Sequence, residues 1–218
     1  VTSQRTREQG IAIRDDADVD TSVLAEYERT RRDLLRRGFA VGSTALAASS
    51  VPLLLHARNA FGQAMGDAQV VKAAIGLEQV AVFAYDAALK SGKLDGKTTQ
   101  VARLFKTHEE AHRDGLISAL QSLGGGSPPT PPASLRANSL LRPLLKVRNQ
   151  KEIALYTIEL ESVAVAAYHD ANRKLKDARL LKTGAQIMAN EGQHLVVLRT
   201  AVKRPPVPDA FEVGRARL

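Results

Sequence analysis

A nine-residue string recurs with two changes in this 218-residue chain, and a second shared motif follows each copy at nearly the same distance. Leu77-Glu78-Gln79-Val80-Ala81-Val82-Phe83-Ala84-Tyr85 matches Leu160-Glu161-Ser162-Val163-Ala164-Val165-Ala166-Ala167-Tyr168 at seven of nine positions. Glu109-Glu110-Ala111-His112 follows the first copy and Glu191-Gly192-Gln193-His194 the second. Glu78 precedes Glu109 by 31 residues, and Glu161 precedes Glu191 by 30. That separation covers the rest of one helix, a turn and part of the next, so the pattern reads as one helical hairpin copied within the chain.

The text around the motifs agrees. Long stretches rich in Ala and Leu and almost free of Pro predict helices over 67–91, 98–123, 151–176 and 178–203, with Asp67 as a cap and Gly92 as a stop. Gly124-Gly125-Gly126 ends the second helix, and Pro205-Pro206 follows the fourth. The connector through Pro128-Pro129-Thr130-Pro131-Pro132 is long, with room for a short helix through 140–147. Short turns inside each pair force antiparallel neighbours, whereas the long connector can cross the bundle. The expected fold is therefore all-α: a four-helix bundle of two antiparallel hairpins joined by a long crossover.

On a helix, positions i and i+3 share a face, so Glu109 projects with His112 and Glu191 with His194. Glu78 lies on a stripe with Ala74, Ala81, Val82 and Tyr85, and Glu161 on a stripe with Ile158, Ala164, Val165 and Tyr168. An unpaired carboxylate on a core-facing stripe loses several kcal/mol of solvation, so it must be protonated, salt-bridged or bound to a cation. Four such acids and two imidazoles have few cationic side chains at their heights, Arg113 being the nearest on its helix. Two divalent ions resolve the conflict, and a mixed oxygen and nitrogen donor set suits iron or manganese. Tyr85 and Tyr168 read as core aromatics whose hydroxyls bond a ligating acid. Glu110 and Glu159 fall off the inner face and read as solvated, and His108 as a surface or supporting residue.

With these motifs the sequence resembles the ferritin-like di-iron carboxylate superfamily, in particular its small exported bacterial ferritin-like domain proteins. The resemblance spans about residues 67–203 and fills all six ligand positions. It implies that Glu78 and Glu109 with His112 serve one metal. Glu161 and Glu191 with His194 would serve the other, with one carboxylate from each half able to bridge. Two Fe ions or two Mn ions are the implied cofactors. O2, peroxide or Fe(II) are the implied small-molecule partners, in ferroxidase, peroxidase or catalase-like chemistry. A chain with Cys 0 carries neither a rubredoxin-type relay nor a disulfide scaffold. The competing reading is a non-catalytic exported envelope or stress protein on the same scaffold. A minor alternative is a zinc metalloprotease, because His108-Glu109-Glu110-Ala111-His112 matches the His-Glu-x-x-His string, with His169 or His194 as third ligand. The second copy has Asn190 where the first has His108, which the dinuclear reading accommodates and the protease reading does not explain.

Residues 1–64 read as an address. Thr30-Arg31-Arg32-Asp33-Leu34-Leu35-Arg36, followed by an uncharged stretch over 38–55, resembles a twin-arginine export signal, so Thr30, Arg31, Arg32, Leu34 and Leu35 are its expected determinants. Cleavage is expected after Ala64, or second after Ala57; an uncleaved signal would leave a membrane tether. The translocase is then a partner during export, and a second copy of the chain is a partner if it oligomerises. The domain organisation expected is 1–64 signal region, 65–204 bundle and 205–218 tail. The net charge of +8 is carried mostly beyond residue 64, on scattered lysines and arginines without a basic run, so no specific nucleic acid is expected.

Overall fold

The computed structural model describes residues 66–214, and the expected twin-arginine signal and both expected cleavage positions lie outside them. Four α-helices form: α1 Asp67–Lys90, α2 Gly96–Ser122, α3 Gln150–Asn172 and α4 Ala178–Ala201. Among the described residues there is no strand, and no helix is long and apolar enough to cross a membrane.

Each boundary has a local cause. Asp95, Asn149 and Asp177 cap α2, α3 and α4, their side chains accepting from the backbone N–H of Thr98, Glu152 and Arg179. After α2 the chain reverses through Gly124 at φ +63°, a left-handed conformation that glycine adopts without a Cβ penalty. Two expectations are corrected here. Asp67 does not cap α1, whose cap is Gly66; instead its carboxylate accepts from the N–H groups of Lys176 (3.0 Å) and Asp177 (2.8 Å). The third helix stops at Asn172 rather than 176, because the N–H groups of Lys174 and Leu175 both turn back to the Ala171 carbonyl. Asp67 thus ties the start of one hairpin to the turn of the other.

α1 packs along α2, α3 along α4, and α1 against α3, while α2 meets α4 at fewer points. α1 and α3 are the central helices, and their near-continuous apolar text is what lets them be enclosed on several sides. Val70, Ile75, Leu120, Leu141 and Leu160 lie at the heart of the main core. The crossover contains a 3-10 helix, Arg142–Lys146, and buries Leu140, Leu141 and Leu144. It is fixed to α3 by the Tyr156 hydroxyl donating to the Leu140 carbonyl (2.9 Å), and to α1 by the Gln79 amide donating to the Pro129 carbonyl (2.8 Å). The C-terminal segment is also anchored. Arg199 pairs with Glu212 at 2.6 Å, and Gly214 lies so close to α3 that a Cβ there would fall 2.1 Å from the Ser162 carbonyl oxygen.

Candidate metal centre

Glu78, Glu109, Glu161 and Glu191 are each no more than 1% exposed. One acid comes from each of α1, α2, α3 and α4, and the two imidazoles come from α2 and α4. Ligand-type atoms of Glu78, Glu109, His112 and Glu191 all lie within 4.8 Å of one another, as do those of Glu109, Glu161, Glu191 and His194. The structure therefore brings together all six residues singled out from the repeat. It also shows which acids stand between the two groups: Glu109 and Glu191 belong to both, Glu78 and Glu161 to one each.

The geometry around the imidazoles repeats. His112 Nδ1 is 3.0 Å from Glu191, 3.6 Å from Glu109 and 3.7 Å from Glu78. His194 Nδ1 is 3.1 Å from Glu191, 3.2 Å from Glu109 and 3.5 Å from Glu161. Despite these separations, both Nδ1 atoms, both Glu191 oxygens and Glu109 Oε1 are buried without a hydrogen bond. Buried polar atoms are normally satisfied. Here the lone-pair donors gather in two places without hydrogens aligned between them, which fits two cations held by carboxylates and neutral imidazoles.

Without an ion, protons carry the compensation. Burial pushes the carboxyls of Glu78 and Glu161 well above the usual range, and neighbouring acids add to the effect. Burial opposes charge on the imidazoles, but the carboxylates around them prevail and push His112 and His194 up to about 12. Glu191 moves the other way: against burial, the two imidazoles draw it down to about 2. The metal-free centre thus holds protons on its imidazoles and on Glu78 and Glu161, and divalent ions must displace them to bind.

The tyrosines support the acids crosswise. The Tyr85 hydroxyl donates to Glu161 and the Tyr168 hydroxyl to Glu78, so each hairpin's tyrosine holds the other hairpin's acid. The residue numbers in both pairs have the same sum, which is the signature of α1 and α3 running antiparallel. Replacing Tyr85 by Phe strands a buried carboxylate oxygen, an expected loss of about 1–3 kcal/mol in the metal-free protein. Tyr168→Phe should cost a similar amount. Urea midpoints measure both, and an unchanged midpoint would show that the hydroxyls do not support the acids.

Two features lie beyond the sequence reading, the Phe105 stack and the burial of Glu159, and His108 takes the supporting place rather than the surface one. Phe105 stacks on the His194 ring, with centroids 3.9 Å apart, and meets Tyr85 edge-on at 6.0 Å. His108 Nδ1 lies 3.0 Å from His194 Nε2 and stands outside both candidate ion groups, so the two histidines of the His-Glu-x-x-His string have different roles. Glu159, expected to be solvated, is half-buried, and burial raises its carboxyl against the pull of Arg204 and Arg199. The sequence signal that marks His108 is the break in the repeat, where the second copy has Asn190. Asp86 lies among lysines, 2.6 Å from Lys90 and 3.1 Å from Lys106, away from this chemistry.

A family model described as a ferritin-like domain matches residues 66–204. No curated protein and no solved structure matches the chain.

Proposed function

From the chain's membership of the ferritin-like domain family, we propose that its buried glutamate–histidine cluster holds two iron or manganese ions and reacts with O2, H2O2 or Fe(II). The observation that carries this reading is the set of buried, unsatisfied donor atoms on Glu109, His112, Glu191 and His194. Glu78 and His112 would hold one ion and Glu161 and His194 the other, with Glu109 and Glu191 shared. When bound, two redox-active ions in such a donor set supply a two-electron exchange with a small oxidant.

The chain's own residues set the conditions for that chemistry. The tyrosine hydroxyls hold Glu78 and Glu161 against swinging away. Phe105 keeps water from one side of His194. The His112 side chain, 13% exposed, is the only one of the six ligand candidates that meets solvent appreciably, so reactants the size of O2 or peroxide suit the centre better than bulky substrates. Catalase-like turnover, which needs no outside electron donor, is compatible with a chain of Cys 0. We include export by the twin-arginine route in this proposal, on the motif at Thr30–Leu35; that route carries folded proteins and suits a cofactor inserted beforehand.

The test is metal analysis of the protein purified from its own exported fraction, followed by H2O2 and Fe(II) turnover assays. About two Fe or Mn per chain with turnover is the expected result. Less than half an equivalent of either metal, or zinc alone, would overturn the proposal. Stoichiometric metal without turnover would assign a binding role instead.

A further inference from the structure

The two hairpins are copies, but the supports behind their imidazoles are not. His194 is 1% exposed and held from two directions: Phe105 stacks on its ring, and His108 meets its outer nitrogen at 3.0 Å. In the repeat, Ile187 and Asn190 occupy the places of Phe105 and His108. Among the described residues no side chain hydrogen-bonds the outer nitrogen of His112, and that ring meets solvent.

From this break in the symmetry we infer that the two ion positions are unequal: the position at His194 is the tighter and fills first, with His108 and Phe105 as its positioning residues. The inference rests on the dinuclear reading above. An ion bound at Nδ1 requires the ring proton on Nε2, and that N–H is then aimed at His108 Nδ1, which accepts it. His108 therefore fixes both the tautomer and the rotation of His194, so less freedom is lost on binding. The stacked Phe105 ring, itself buried, removes the remaining freedom to tilt. The His112 ring has no such support at its outer nitrogen, only the carboxylates that face its Nδ1. Its position is the exchangeable one, through which ions enter and leave.

The experiment is a Co(II) titration of full-length metal-free protein, followed by calorimetry and visible absorption. Wild type is expected to bind in two steps of different affinity. His108→Ala should weaken the tighter step about 10–100-fold and leave the other in place. His108→Gln, whose amide oxygen can accept the same proton, should retain the tighter step. His112→Ala should remove the weaker step alone. Two equal steps in wild type would overturn the inference, as would a tighter step unmoved in His108→Ala, both steps weakened alike, or loss of the tighter step in His112→Ala. Those outcomes leave the dinuclear reading standing, whereas wild-type protein that binds no Co(II) overturns both.

Discussion

Glu191→Gln is expected to empty both ion positions at once, whereas Glu78→Gln empties only one. The difference follows from the sharing of acids. Glu191 faces both imidazoles, at 3.0 Å from His112 and 3.1 Å from His194, while Glu78 belongs to the His112 group alone. An amide keeps the size of the side chain but loses the charge and one acceptor, so folding should survive while ion binding fails. Bound metal after desalting should fall from about two ions per chain to below about 0.3 in Glu191→Gln, and to about one in Glu78→Gln. Glu109→Gln should behave like Glu191→Gln, and Glu161→Gln like Glu78→Gln. A loss of about one ion in each of the four variants would show that no carboxylate is shared.

The second large effect is a reversal of pH dependence on metal loading. The folded-state values of His112 and His194, pushed up to about 12 from an ordinary 6.5, stabilise the metal-free fold fully below about pH 6.5, and this contribution is lost as pH rises towards 12. Glu78 and Glu161, also raised, act in the same direction from about pH 4.5 upwards. Glu191, held down to about 2, contributes above pH 4.5 and loses that contribution only as pH falls towards 2. Metal-free protein should therefore be most stable in weak acid, and each retained imidazolium makes stability fall by up to about 1.4 kcal/mol per pH unit above 6.5. Ions displace those protons, so added Mn(II) should stabilise more at pH 8 than at pH 5.5. At a thousandfold excess over Kd each ion adds about 4 kcal/mol, and two should raise Tm by on the order of 15 °C or more. Thermal melts followed by circular dichroism across that pH range provide the measurement. A flat profile in the metal-free protein would show that folding does not strengthen the hold of these acids and imidazoles on their protons.

Much of this was legible because an acid on an apolar helix face is too costly to be incidental, and here the cost is incurred four times in register. Periodicity places Glu78 and Tyr85 on one face, but it does not give the direction of the neighbouring helix. The exchange of tyrosines between hairpins was therefore invisible until α1 and α3 were seen antiparallel. The end of α3 escapes the sequence pattern for a related reason. Lys174 and Lys176 suit a helix, and the stop at Asn172 is braced by a carboxylate more than a hundred residues away, on Asp67. Likewise, the segment after Arg204 has no periodic pattern, and its order comes from tertiary pairing such as that of Glu212 with Arg199.

The crossed tyrosines also bear on how such a molecule could arise. Because each hairpin's acid leans on a hydroxyl supplied by the other, neither half is self-sufficient, yet two identical halves would satisfy each other around a twofold axis passing beside Ala81 and Val82. A lone hairpin of this sequence type is thus already a homodimer in waiting. Joined in one chain by the proline-rich crossover, the two halves need not stay identical, and His108 opposite Asn190 is one place where they differ.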